Sequence, residues 1–308
     1  MRRSMVLFLA GLFLICMCVL MLQIIETRLL SVMAWYHLAF LAISMAMFGL
    51  TAGSLLVYFE ADFFPPERLL EHLAWIAAAF AIVVVVSTLS IVSSVLVADT
   101  TSGMVMLGWL KLIVMIVPPY ILAGMAISLA LTRGPWPVGI VYGVDLAGAA
   151  AGCLIALALM TWLDGVSALF AVGVIGAGAS VCFRAAWRQS RDPRLPELGV
   201  STWFMARHPA VLALLLAALT GYNTSMQPNG ITPVLVKDRL ERGVPSAQRW
   251  NSYSRVRAER EITRTPIMWG PSALMPPNPV SQRELNIDGD AGTLMYRFNG
   301  DFGTCQRL

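Results

Sequence analysis

"MVLFLAGLFLICMCVLMLQII", residues 5–25, contains no charged side chain. It matches the roughly twenty apolar residues that a helix needs to cross the hydrocarbon core of a bilayer. A secretory signal peptide is the competing reading, because "MRRS" stands in front of it. The run is too long for a signal peptide, and "QIIETRLL" behind it offers no small-residue cleavage site. The stretch therefore reads as a retained first span, and it sets the fold class.

Comparable runs follow at 34–58, 73–98, 107–131, 138–163 and 166–183. A seventh, at 209–222, has only fourteen residues. At 1.5 Å per residue it covers roughly 21 Å of a core about 30 Å thick. The expected fold is mainly α: a polytopic helical membrane bundle of six firm spans plus a short seventh over residues 1–222. A small β-rich soluble segment over residues 223–308 follows it. Composition agrees, with 57% apolar and 13% charged residues and a mean hydropathy of +0.70. Soluble domains carry about a quarter charged residues. Residues 1–222 hold 11 of the 22 lysines and arginines, and the much shorter remainder holds the other 11.

The net charge of +4 fits basic loops facing the cytoplasm better than an acidic partner. No basic stripe with interleaved aromatics occurs, so nucleic acid is not an expected partner; the lipid bilayer is. Arg2 and Arg3 precede the first span, Arg133 follows the fourth, and Arg184, Arg188, Arg191, Arg194 and Arg207 follow the sixth. A multi-pass protein with a cytoplasmic N-terminus puts all of these on the inside. With the seventh run too short to cross comfortably, it is expected to dip into or lie along the cytoplasmic leaflet. Residues 223–308 then stay on the same side as the arginine loop.

Ionisable residues inside spans flag function. Asp145 in "VYGVDLAGAAAGC" is the candidate binding residue, flanked by the small-residue pairs Gly139/Gly143 and Gly148/Gly152. Two readings stand: a ligand for a proton or small cation, or a polar group satisfied at a helix contact. Glu26 and Arg28 mark the end of the first span and pair with each other or with neighbouring helices. Lys111 reads as snorkelling. Gly173, Gly176 and Gly178 imitate a nucleotide-binding loop, but such a loop follows a strand in water, so helix packing is the reading. Cys16, Cys18, Cys153, Cys182 and Cys305 have no metal-ligand or disulfide spacing. His37, His72 and His208 flank membrane segments and form no catalytic set. "SRVRAE" alternates as a strand does. Asp288, Gly289 and Asp290 form a turn leading to a strand over 294–298, with Gly300 and Gly303 loosening the end; aspartate suits turns for backbone reasons alone.

Four strings in order, "QIIETRLLSVMAWYHLAFLAISMAMFGLTAGSLL", "VYGVDLAGAAAGC", "RWNSYSRVRAE" and "ELNIDGDAGTLMYRFNGD", together resemble the membrane-embedded spermidine synthase-like proteins of the bacterial plasma (inner) membrane. The resemblance covers nearly the whole chain. It implies a multi-span region ahead of an aminopropyltransferase domain, with "IDGDAG" in the β-rich segment before the nucleotide-binding fold. That fold would bring a glycine-rich loop for decarboxylated S-adenosylmethionine, a ribose-binding acid and an Asp that deprotonates putrescine. None of these follows before Leu308, so the expectation is an incomplete synthase-like domain, a truncated or partial product. Aminopropyl transfer is not expected of these residues alone, and a soluble synthase domain in trans is the partner implied. Soluble relatives carry a Tyr-Gln pair where this chain has Tyr253 and Ser254. Neither Tyr253 nor Asp288 is assigned a catalytic role. The alternative function is membrane binding or transport of a small cation, such as a polyamine, with Asp145 as ligand.

Overall fold

The computed structural model describes residues 2–34, 37–94, 103–190, 204–233, 235–237, 239–241, 243–270, 272 and 278–297. Arg191, Arg194, Trp203, Phe298, Gly300, Gly303 and Cys305 lie outside the described residues.

Among the described residues eight α-helices run in order: α1 Arg2–Met33, α2 His37–Phe59, α3 Leu69–Val92, α4 Gly103–Arg133, α5 Val138–Trp162, α6 Gly165–Ser190, α7 Phe204–Arg207 and α8 Pro209–Ser225. Six of them are long and apolar enough to cross a membrane. α1 is the central helix, packed against α2, α4, α5 and α6. It runs eight residues past its uncharged stretch, because the charges that end the apolar run find partners in other elements.

Close approach of the helices rests on a few glycines. A Cβ on Gly148 would meet the Phe13 carbonyl oxygen at 2.6 Å, and one on Gly152 would strike the Met17 carbonyl oxygen. α5 touches α1 along this stripe, and most of its other side chains are exposed. α2 and α4 meet in the same way, with Gly53 against the Ile121 carbonyl and Gly124 against that of Leu50. Pro118 and Pro119 lie inside α4. Pro119 has no N–H to give the Met115 carbonyl one turn back. Ser87 of α3 fills that vacancy, its Oγ donating to Met115 O at 2.6 Å. Gly173 and Gly176 sit mid-α6 against Ala81 and Phe80 of α3, which makes them helix-packing residues as their sequence context implied.

The bundle has two distinct ends. Ser4 of α1 and Ser190 of α6 share a hydrogen bond of 2.7 Å, and Trp136, just past α4, stacks on Phe8 at 4.1 Å. Arg2, Arg3, Arg133, Arg184 and Arg188 therefore gather at this end. α7 joins them through its contact with α3. α8 then lies along α6 in the opposite sense. Leu216 comes beside Gly173, and Asn223 Nδ2 donates to Ser167 Oγ at 2.8 Å. The chain thus leaves α8 at the far end of the bundle.

This differs from the expectation for 209–222. α8 does not lie along one surface, and the β-rich segment is not beside the arginine-rich end. The apolar run gains Asn223–Ser225, giving 17 residues and about 25 Å. Those polar residues are tolerated because Asn223 is fully used: its amide donates to Ser167 and its Oδ1 accepts from the Ile231 N–H at 2.6 Å.

Past α8, β1 Leu235–Val236 pairs with β2 Arg239–Leu240. β3 Ala247–Trp250, β4 Arg255–Ala258, β5 Ile262–Arg264, β6 Val280–Ile287 and β7 Ala291–Tyr296 form one antiparallel sheet in the order β3-β4-β6-β5, with β7 on the other side of β6. The hairpin at Asp288–Asp290 is where the sequence puts it. The alternation in β4 is also real, but its buried face is Arg255 and Arg257 rather than Val256 and Ala258. Glu241 explains this, accepting from both guanidinium groups at 2.7 Å. Gln248 takes a further bond from Arg255, and Glu259 one from Arg257.

Candidate functional site at the junction of bundle and sheet

The last turns of α1 carry Arg28 to the end of the bundle that faces the sheet. There its Nη2 lies 2.7 Å from both carboxylate oxygens of Asp288, and its Nη1 donates to Ser31 at 3.0 Å. Asp288 stands in the β6–β7 turn with φ +53°, a left-handed conformation that Asp tolerates better than most residues. Its Oδ1 also accepts from the Arg255 backbone N–H at 2.8 Å. One carboxylate therefore joins α1, β4 and the hairpin. Gly289 beside it has φ +80°, and a Cβ there would collide with Val236. A second strut is purely backbone: the Lys237 N–H donates to the Met33 carbonyl at 2.8 Å. That carbonyl belongs to the last turn of α1, where no intrahelical donor remains.

Asp288 was read from sequence as a turn residue, and it is also the docking residue. Tyr253 is 85% exposed and takes no part. Arg28 was expected to pair with Glu26 or a neighbouring helix; its partner is instead in the sheet. Glu26 does pair with a neighbouring helix, accepting from the Tyr120 hydroxyl of α4 at 2.8 Å. Both residues are fully buried. Lys111 donates to Ser93 at 3.2 Å in an exposed setting.

Asp145 is half-buried on α5, the helix that packs along α1. It stands one turn before the Gly148 contact. Gly139 and Gly143 have open space where a Cβ would go, so among the described residues only the second small-residue pair makes a helix contact. Among the described residues no group of three or more His, Cys, Asp or Glu side chains could hold a metal ion.

The residues joined at the junction were hidden from sequence reasoning. Arg28 and Asp288 are 260 positions apart, and neither has an unusual local pattern. A charged pair of opposite sign at the ends of two predicted elements is the only hint, and many such pairs exist in the chain. No family model matches the chain, and neither a curated protein nor a solved structure matches it.

Proposed function

We propose that this chain is a multi-pass protein of the bacterial plasma membrane whose bundle anchors and orients a β-rich platform on the outer surface. The observation that carries the reading is the Arg28–Asp288 joint, backed by the Lys237–Met33 backbone bond, which fixes the sheet to one end of the helices. The orientation follows from charge. The arginine-rich end holds the N-terminus, and basic ends stay in the cytoplasm. α7 and α8 supply a seventh crossing, with the shortfall in length met by local thinning of the bilayer.

The platform belongs, in this reading, to the spermidine synthase-like type. Support comes from the four strings in their order and from an antiparallel sheet where that resemblance puts a β-rich segment. The outer strand β7 pairs only with β6 among the described strands, and its free edge suits a further fold joined in cis or in trans. Aminopropyl transfer needs a bound sulfonium donor and a placed base. Among the described residues no strand, glycine loop and helix follow one another to hold decarboxylated S-adenosylmethionine. In this reading the sheet holds and presents whatever fold joins its edge, and the described residues alone do not carry the transfer. The test is incubation of the purified chain with putrescine and decarboxylated S-adenosylmethionine. No spermidine is expected, and spermidine above a no-protein blank would overturn the reading.

A further inference from the structure

Between the far end of the bundle and the sheet lies a cavity of about 570 Å³, lined by Thr161, Trp162, Asp164, Gln227, Arg249 and Trp250, among others. Asp164 joins α5 to α6. Its Oδ1 caps α6, accepting from the backbone N–H groups of Val166 and Ser167 at 3.0 and 3.1 Å. Its Oδ2 is buried and has no hydrogen-bond partner among the described residues, and the residue is only 7% exposed. Trp250 of β3 packs its six-membered ring against Gly165 and is 8% exposed. Its indole Nε1–H is likewise buried and unpaired among the described residues, as are both side-chain polar atoms of Gln227 just past α8.

Four orphaned polar atoms on residues that line one cavity need an explanation, since burying a polar group without a partner is unfavourable. They divide evenly. Asp164 Oδ2 and Gln227 Oε1 accept; Gln227 Nε2 and Trp250 Nε1 donate. The volume falls in the range of small-molecule sites, about 300–1,000 Å³. An apolar guest would leave all four atoms unpaired. An anion would meet the buried Asp164 carboxylate. A metal ion would find a single carboxylate. Arg249 is the one cation among the lining residues, and its side chain is exposed, so the charge on Asp164 lacks a buried counterion.

We infer that this cavity is a binding site for a small polar solute that carries a protonated primary amine and, a few bonds away, a hydrogen-bond acceptor. The ammonium donates to Asp164 Oδ2 and Gln227 Oε1. The acceptor, a hydroxyl or carboxylate, takes the indole N–H of Trp250 and the Gln227 amide. Burial raises the Asp164 carboxyl above its ordinary value while the hydrogen bonds from Ser167 and Val166 pull the other way; an ammonium placed on Oδ2 would favour the ionised form. The site needs the sheet docked on the bundle, but it does not depend on which side of a membrane that end faces.

The test is calorimetric titration of the detergent-purified full chain with ethanolamine, glycine, methylamine and acetate. Ethanolamine and glycine are expected to bind, methylamine at least tenfold more weakly, and acetate not at all. Asp164→Asn keeps the helix cap, since Asn caps as well as Asp, and is expected to weaken ethanolamine binding at least tenfold with the helical circular dichroism of the folded chain unchanged. Trp250→Phe keeps the ring and should weaken ethanolamine but not methylamine. Absence of binding by all four probes, or equal binding by wild type and Asp164→Asn, would overturn the inference and leave a cavity that holds water only. None of these results bears on membrane orientation or aminopropyl transfer, so the two readings fail separately.

Discussion

Arg28 near the end of α1 and Asp288 in the β6–β7 turn meet at 2.7 Å, and the same carboxylate accepts the backbone N–H of Arg255. Both side chains are about one-fifth exposed, so solvent screens the pair only in part. Hydrogen bonds to charged groups contribute about 1.5–3 kcal/mol. Arg28→Ala is expected to raise the population of the undocked sheet by roughly tenfold to a hundredfold, read as faster protease cleavage beyond Ser225 with the helices intact. Asp288→Asn should do the same, and the double variant should cost less than the sum of the two. Additive effects would show that the pair does not couple sheet to bundle.

The glycine contacts give a paired prediction. Gly148→Ala and Gly152→Ala force a methyl group against the backbone of α1 and should destabilise by about 1–3 kcal/mol each, read as a lower unfolding midpoint in detergent. Gly139→Ala and Gly143→Ala meet open space and should leave the midpoint unchanged or slightly raised through better helix propensity. The reverse ranking would place the α1–α5 contact on the wrong face.

Much of the bundle is legible because apolar run length is a one-dimensional property. Residues 138–163 give α5 almost residue for residue. The end of α1 is not legible in that way: Glu26 looks like a terminus until Tyr120, 94 positions later, supplies its hydrogen bond. The buried face of β4 is illegible for a related reason: the alternation in "SRVRAE" shows a strand without saying which face is inward, and Glu241 and Gln248 make the arginines the buried residues. Asp164 is hidden differently. It lies in a short loop between two apolar runs, and in the structure it caps α6. Nothing local reveals that its second oxygen is buried without a partner among the described residues, or that Asp164 and Trp250 line one cavity. Asp145 was prominent in sequence because charge is rare in that span, yet rarity does not say whether a neighbour satisfies it.

Removing one member of the buried Glu26–Tyr120 pair leaves the other unsatisfied. Glu26→Leu or Tyr120→Phe should each cost about 1–3 kcal/mol. Glu26→Gln keeps an acceptor for the hydroxyl and should cost less. The combination Glu26→Leu with Tyr120→Phe should recover part of the loss, measured as unfolding midpoints of the four variants against wild type. No recovery in the double variant would mean that the two side chains are not coupled.

Asp164 predicts a pH dependence of stability. Its folded carboxyl is raised by burial, so the folded chain holds that proton more tightly than the unfolded one does. The protonated form is therefore the stabilising one: this contribution is fully present below the unfolded carboxylate value and is lost as pH rises through the raised folded value. Arg249 is the other charged residue lining the cavity. Unfolding midpoints of wild type and Asp164→Asn should differ by an amount that changes across this window, wild type losing ground as pH rises. A difference that is constant with pH would contradict the burial of an uncompensated carboxylate.

The central claim is that the arginine-rich end and the sheet lie on opposite sides of the membrane. The full chain with its five native cysteines replaced by alanine is given one new cysteine, either Tyr253→Cys on the exposed sheet or Arg3→Cys at the start of α1. Intact bacterial cells are then treated with a membrane-impermeant maleimide. The account predicts labelling of Tyr253→Cys in intact cells and labelling of Arg3→Cys only after lysis. Protection of Tyr253→Cys until lysis, with Arg3→Cys also protected, would contradict it and put both on the cytoplasmic side.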